Sequence, residues 1–369
     1  MKIHVVKKGE TVGGIARKYA LDEKQLRLAN ALTMTCPLCP GQSLFIPGDF
    51  PKAGRSIEIC AFSTAAPELQ WAKAFTYLCP YCHSFDSLGT LFSPGFDCST
   101  AELRKEGCAP LLCLSNSGDS GGFSPELAHL LFTKNELKER LFEELIEKLK
   151  ANSYFGLQLC LNYLFPFDRD NYSAFVLELS QLLHGEGFML SVELSPPDIA
   201  PLSAAFDYAE LGKCADRLSL MFCRWGHSFS PPQPPAPTAY IRRALDFVAG
   251  LIPPEKLLLG ISGCGFDWTL PWHSGDRAQQ ISNLLAMERA MAMGREIHYD
   301  ARAGTAYYDY TDPAAKRHRV YFEDARSISE KSALVEEYSL AGISLYSWET
   351  CLRGGYSVMQ RLYNAEKLL

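Results

Sequence analysis

Apolar positions along the chain follow two rhythms. Eight short runs are apolar almost throughout: IEICAF (57–62), FTYLC (75–79), APLLCLS (109–115), GLQLCL (156–161), FMLSVEL (188–194), RLSLMFC (217–223), KLLLGIS (256–262) and AGISLY (341–346). They read as strands. Between them the period lengthens to that of a helix. TKNELKERLFEELIEKLK (133–150) carries Leu137, Leu141, Leu145 and Leu149 on one stripe, with Thr133 and Glu136 as a capping box. DNYSAFVLELSQLLHGEG turns Phe175, Leu179, Leu182 and Leu183 inward and stops near Gly185, and TAYIRRALDFVAGL starts at Thr238. Eight strands alternating with helices predict an α/β fold, a (β/α)8 TIM barrel. The gap before the eighth strand is too long for one helix. It holds EIHYDARAGTAYYDYTD and HRVYFED, which predict a small α+β insertion at about 296–323.

A separate unit precedes the barrel. IHVV (3–6) is a strand. Thr11 caps a helix with Val12, Ile15, Ala16 and Tyr19 at helical spacing, and Asp22 caps a second with Leu21, Leu26 and Ala29 inward. Leu44 to Ile46 is a closing strand, so the order is βααβ. GDFPKAGRS (48–56) has Gly, Pro and basic residues without periodicity and reads as the seam. The expected division is 1–48, a linker at 49–56, and a barrel over 57–369. Gly9-Glu10-Thr11, Ile15-Ala16, Tyr19, Leu26, Asn30, Pro40-Gly41-Gln42 and Ile46-Pro47 together make the first unit resemble a LysM module. The resemblance implies binding of N-acetylglucosamine polymers, peptidoglycan or chitin, in a shallow groove between the loops Gly9–Val12 and Leu32–Cys36. Gly9, Glu10, Thr11, Leu32 and Thr33 are then its candidate sugar contacts. One such module binds weakly, and tethering it to a second sugar-binding surface raises avidity.

Composition narrows the setting. A chain of 369 residues suits a barrel of ~250 residues plus a small module. Apolar residues at 47% and charged residues at 21% are globular proportions, and a net charge of -6 gives no general affinity for nucleic acid. No run of about 18 apolar residues exists, so no membrane span is expected. MKIHVVKKGE lacks the apolar core of a secretory signal. The 13 cysteines are therefore expected to be mostly reduced thiols. No cofactor is called for.

From residue 57 to 365 the chain also resembles family 18 glycoside hydrolases, in particular the LysM-bearing, peptidoglycan-directed enzymes of bacterial spores. The carrying segments include APLLCLSN, DRDNYSAFVLELSQLLHGEGFMLSVELSPP, LIPPEKLLLGISGCGFDW and VYFEDARSISEKSALVEEYSLAGISLYSW. The resemblance implies hydrolysis in which the substrate's own acetamido oxygen attacks the anomeric carbon. A glutamic acid protonates the leaving oxygen, an aspartate two residues earlier steadies the acetamido group, and a tyrosine ending the sixth strand holds its carbonyl. The family's fourth-strand pattern, D-x-x-D-x-D-x-E, falls here on Phe155, Gln158, Cys160 and Asn162. The sixth-strand pattern, M-T-Y-D, falls on Met221, Phe222, Cys223 and Arg224. Every acid and the tyrosine are replaced. A general acid is worth ~10²–10⁴ in rate, and loss of the anionic helper removes about 3 kcal/mol more. The expectation is a glycan-binding barrel that has lost its acid chemistry, made in the cytoplasm and assembled into a spore coat or cortex.

Several residues keep other readings open. Glu193, near the end of the fifth strand, is the best candidate for a relocated acid. Glu349, Asp86 and Asp267 also fall after strands. Cys160 and Cys223 beside Arg224 are either a reactive thiol pair or small apolar fillers. CPLC (36–39) and CPYC (79–82) would make a four-thiolate zinc clamp from Cys36, Cys39, Cys79 and Cys82, if the two units bring them together. Trp225, Trp348 and Tyr346, with Trp272, Phe266 and Tyr81, are candidate rings for stacking on sugar faces, the first three with Arg224 as the substrate-binding set. PPQPPAP (231–237) reads as a stiff rim loop. His83, His227 and His273 follow strands without metal-ligand spacing.

Overall fold

The computed structural model describes residues 2–33, 37–48, 55–63, 69–80, 82–93, 98–118, 122–197, 203–222, 225–347 and 353–369, without the side chains of Gln70 and Arg353. The first unit folds as strand Lys2–Val5, helix Val12–Lys18, helix Glu23–Asn30 and strand Ser43–Ile46. Its strands pair antiparallel, His4 opposite Leu44. Both expected caps form: Thr11 accepts from the Gly14 N–H at 3.1 Å and Asp22 from the Lys24 N–H at 2.6 Å. Val12, Ile15, Leu26, Leu44 and Ile46 share one small core. Asn30 ties the second helix to the closing strand. Its carbonyl accepts from the Phe45 N–H at 2.7 Å and its amide donates to the Phe45 carbonyl at 2.8 Å.

Eight parallel strands close a barrel: Ser56–Phe62, Tyr77–Cys79 resuming as Cys82–Phe85, Ala109–Ser115, Gly156–Cys160, Met189–Leu194, Arg217–Met221, Leu257–Ser262 and Gly342–Tyr346. The first pairs with the eighth, Gly342 opposite Glu58, and with the second, Cys60 opposite Tyr77. The ring therefore has no unpaired edge. Alternation sends Leu157, Leu159 and Leu161 outward into the core shared with the helices, where Leu141, Leu145, Leu179 and Leu183 lie fully buried. The inward face is more polar. Glu58 and Arg217 form an ion pair inside it, Nε to Oε2 at 2.6 Å, and the Ser219 and Ser344 hydroxyls meet at 3.0 Å.

Two sequence expectations give way here. The Thr133–Glu136 capping box does not form. Helix Pro125–Thr133 runs through that position, the Thr133 hydroxyl donates to the His129 carbonyl at 2.7 Å, and the next helix, Asn135–Ala151, starts without a side-chain cap. The insertion is also larger than 296–323. It is a five-stranded antiparallel sheet of Cys264–Leu270, Gln279–Ser282, His298–Asp300, Thr305–Thr311 and Arg317–Phe322, with helix Asn283–Ala292. Only Gly263 separates its first strand from the seventh barrel strand, so the change of sheet is hidden inside one apolar stretch. Asp267 belongs to that sheet and not to a loop at the barrel mouth. It is buried, and accepts from the Tyr310 hydroxyl at 2.6 Å, from His318 Nδ1 at 2.9 Å and from the Arg289 guanidinium.

The first unit is docked on the barrel rather than merely tethered. The Pro40 carbonyl accepts from the Ile297 N–H at 2.9 Å, the Gly41 carbonyl accepts from Arg326 at 3.0 Å, and Phe45 packs with Ala325 and Val358. At the seam, Arg55 reaches Glu336 at 3.1 Å and the Leu340 carbonyl at 2.8 Å, and the first barrel strand already begins at Ser56. Among the described residues no helix is long and apolar enough to cross a membrane.

Candidate functional site

Strand ends build the site. Phe62, Ser115, Cys160, Met221, Ser262 and Tyr346 each end a barrel strand, and all line one cavity of about 480 Å³ at the carboxyl mouth. That is the end where barrel chemistry resides. A larger groove of about 820 Å³ lies between the first unit and the last helix, lined by Tyr19, Gln25, Trp71 and Tyr356. It holds no carboxylate, imidazole or thiol among its described lining residues, which directs attention to the mouth.

The period of two along the fourth strand turns Gln158, Cys160 and Asn162 into the barrel. Cys160 and Asn162 reach the cavity. Gln158 lies below it, fully buried, with neither amide atom partnered among the described residues. Phe155 precedes the strand, stands outside the cavity lining, and packs on Tyr77 with ring centroids 6.3 Å apart. Asn162 is held on both sides of its backbone by Asn116, whose side chain accepts from its N–H and donates to its carbonyl, each at 2.9 Å. The Asn162 amide is thus aimed, and it donates to Glu193 Oε1 at 3.0 Å. Glu193 comes from the fifth strand. It is the one carboxylate among the described lining residues.

Among the described residues five thiols line the cavity with this pair: Cys79, Cys82, Cys113, Cys160 and Cys264. Burial pushes the Cys160 thiol up to about 12, so it stands there as a neutral S–H. His227 also lines the cavity, and burial lowers its pKa, favouring the uncharged ring. Its Nδ1 faces the Phe229 N–H at 3.3 Å. Exposed aromatic rings stand at the rim. Phe229 is 62% exposed, and Tyr163 and Phe123 lie with centroids 5.7 Å apart. Tyr163 holds a left-handed backbone, φ 56°, which turns the chain directly after Asn162.

The residues expected from sequence divide as follows. Cys160, Asn162, Glu193, Tyr346 and Phe266 line the cavity. Trp225 does not: its ring lies 4.5 Å from that of Tyr240, packed into the outer core, because the loop after the sixth strand folds back over helix Thr238–Val248. Trp272 packs in the insertion with Phe266 and Trp268. Asp86 is a turn residue that accepts from the Leu88 and Thr90 N–H groups, both at 2.9 Å. His83 is buried and outside the cavity lining, and His273 pairs with Asp276 in an exposed turn. Cys223, Arg224, Trp348, Glu349, Tyr81 and Cys36 lie outside the described residues. Of the zinc-clamp set, Cys39 is packed against the insertion, while Cys79 and Cys82 belong to the barrel. Among the described residues no His, Cys, Asp or Glu group of three or more is placed to hold a metal.

Phe123, Tyr163, Phe229 and His227 also line the cavity, and the sequence marks none of them as a ring for a sugar face. The first three lie in loops with no period, where only the folded rim reveals a shared surface. In the first unit, Gly9 takes φ 84°, and Glu10 braces the loop, accepting from the Lys7 N–H at 2.7 Å and from His4 Nε2 at 2.8 Å. Those contacts hold the Glu10 carboxyl below its usual range, the Lys7 hydrogen bond most strongly. Thr11 is the cap described above, and Leu32 is buried. The Thr33 carbonyl accepts from Arg27 at 2.7 Å. Part of this expected contact set therefore shapes its loops from within.

A closed (β/α)8 barrel with an α+β insertion before the last strand, and its cavity at the carboxyl mouth, defines a class of glycosidase-type scaffold. The chain belongs to the glycosyl hydrolases family 18, whose model matches residues 100–350, and carries a LysM domain matched over residues 4–47. It is 29% identical to the cortical fragment-lytic enzyme of Bacillus subtilis (strain 168), in an alignment covering 100% of this chain and 99% of that protein. The crystal structure of the Bacillus megaterium QM B1551 spore cortex-lytic enzyme SleL is similar with a TM-score of 0.79 at 26% identity, covering 100% of this chain and 87% of that one. The Bacillus cereus SleL structure shares the fold with a TM-score of 0.88 at 22% identity, covering 99% of both chains.

Proposed function

We propose that this protein binds N-acetylglucosamine-containing glycan of the peptidoglycan or chitin type through its LysM module and its barrel mouth, without hydrolysing it. The setting is a spore layer, by analogy with the cortex-lytic relatives. One observation carries the reading. The described cavity lining holds a single carboxylate, Glu193, while the motif positions carry Gln158, Cys160 and Asn162. The family's reaction needs a proton donor and a separate anion beside the acetamido group, and one carboxylate cannot serve as both in the same step. Glu193 accepts a hydrogen bond from Asn162 and lines the cavity, where its carboxyl oxygens are placed to receive a sugar N–H or hydroxyl. The rim rings offer faces for the apolar side of a pyranose.

A second reading has its own observation. The Glu193 carboxylate stands 3.0 Å from the Asn162 amide, which occupies the motif position of the proton donor. A donor relocated by one strand would act from there, with a general acid's ~10²–10⁴ in rate. The assay is release of reducing ends from peptidoglycan and chito-oligosaccharides, run beside a pull-down on the same glycans. The binding reading expects retention on glycan with no release above background. Turnover abolished by Glu193→Gln establishes the relocated acid instead, and turnover surviving both Glu193→Gln and Asn162→Ala defeats both readings.

A further inference from the structure

The CPYC sequence invites pairing of Cys79 with Cys82. The fold pairs Cys82 differently. Cys82 and Cys113 are direct partners in register on the second and third barrel strands. Neighbouring strands lie roughly 4.8 Å apart, inside the span of about 4.4–6.8 Å that a disulfide bridges between Cα atoms. The two Sγ atoms already stand 3.0 Å apart. Both line the cavity, Cys82 exposed and Cys113 buried. We propose that Cys82 and Cys113 form a reversible disulfide across the barrel mouth, made by exchange with a small-molecule disulfide.

The chemistry has a defined order. The Cys82 and Cys113 sulfurs share a hydrogen bond, and that contact, with the one to Ser115, lowers the Cys82 pKa against the opposing effects of burial and of the Glu193 charge. The contact with Cys160 first, then that with Cys82 and burial, push the Cys113 thiol well up. Of the two, Cys82 therefore forms its thiolate the more readily, and the thiolate is the attacking group in exchange. The Cys82 thiolate attacks one sulfur of a disulfide RSSR, the S–S bond breaks, and RS⁻ leaves into the cavity. Cys113 then gives up its proton and attacks the Cys82 sulfur, releasing the second RSH. Two protein thiols are oxidised to one disulfide while RSSR is reduced to two RSH. Cys160, on the fourth strand, lies next in the row, its sulfur 3.5 Å from that of Cys113. Cys60 and Cys79 are both buried, and so less open to an incoming reagent than Cys82.

The bond has a structural consequence. The second strand is in two segments, Tyr77–Cys79 and Cys82–Phe85, and only the second segment carries Cys82. A Cys82–Cys113 disulfide clamps that segment to the third strand beside Glu193 and Asn162. It stands or falls independently of whether the cavity holds a sugar.

The test is a redox titration of the full-length protein with oxidised and reduced glutathione, followed by alkylation and peptide mapping by mass. The expected result is one cross-linked peptide pair joining Cys82 to Cys113, formed while the other buried cysteines are still reduced. Cys113→Ser should trap glutathione on Cys82 as a stable mixed disulfide, Cys82→Ser should leave Cys113 reduced, and Cys160→Ser should still form the link. Persistent alkylation of both Cys82 and Cys113 across the titration overturns the proposal, as does a Cys79–Cys82 link in their place. The map of the unmutated protein decides the matter even if a variant fails to fold.

Discussion

Single residues in this barrel carry disproportionate weight where charge is buried. Asp267 gathers Arg289, His318 and Tyr310 around one carboxylate in the insertion sheet. Asp267→Asn keeps the shape and removes the charge, leaving the Arg289 cation without its counter-ion. Breaking such a pair costs about 3 kcal/mol, and a loss of that size in unfolding free energy, seen as a lowered urea midpoint, is expected, with the barrel's far-ultraviolet spectrum retained. His83 supplies a pH effect. It is fully buried, and burial chiefly, with the positive charge of Lys148, lowers its pKa to about 4. As pH falls below the ordinary histidine value of about 6.5, the unfolded chain takes up the proton first. The folded state therefore loses stability between about pH 6.5 and 4, by roughly 3 kcal/mol at most. Unfolding midpoints measured across that window should fall, and His83→Gln should flatten the decline. None of these contacts was legible from residue type: Asp267 read as a loop acid and His83 as a loop histidine.

At the scale of elements, helix and strand periods were legible because they are local. The helix Asn135–Ala151 buries Leu137, Leu141, Leu145 and Leu149, the stripe expected from spacing alone. Leu145→Ala should cost about 3 kcal/mol by transfer and cavity formation, read as a lowered thermal midpoint. The closing pair of strands is less forgiving. A Cβ at Gly342 would lie 1.8 Å from the Glu58 carbonyl oxygen. Gly342→Ala must push the eighth strand from the first at the seam of the ring, and the expected outcome is loss of soluble, cooperatively unfolding protein. The missing capping box and the early start of the insertion have one cause. A local motif competes with whatever the neighbouring segment is already doing, and neither the helix before Thr133 nor the sheet after Gly263 shows itself in a short window.

For the whole molecule, the docked LysM module is held in one geometry with the barrel. Gly41 is the tightest point of that docking. It takes φ 79°, and a Cβ there would lie 1.7 Å from the Ile297 carbonyl oxygen. Gly41→Ala should loosen the module without unfolding the barrel, and limited proteolysis should then cut faster between residues 48 and 56. If the barrel mouth and the module act together on one glycan, retention on long glycan in the pull-down should weaken more than retention on short oligomers, since avidity depends on geometry.

Taken by itself, the sequence determined the two units, the eight-strand alternation, the LysM features and the absence of acids at 158, 160 and 162, because periodicity and motif spacing are properties of neighbours along the chain. Only the tertiary structure decided what faces what across strands. It set Glu193 beside Asn162, paired Cys82 with Cys113 rather than Cys79, drew Phe123, Tyr163 and Phe229 to one rim, and removed Trp225 from it. Those relations depend on strand register and on closure of the ring, which are fixed by packing between segments distant in sequence and leave no periodic trace within any one of them.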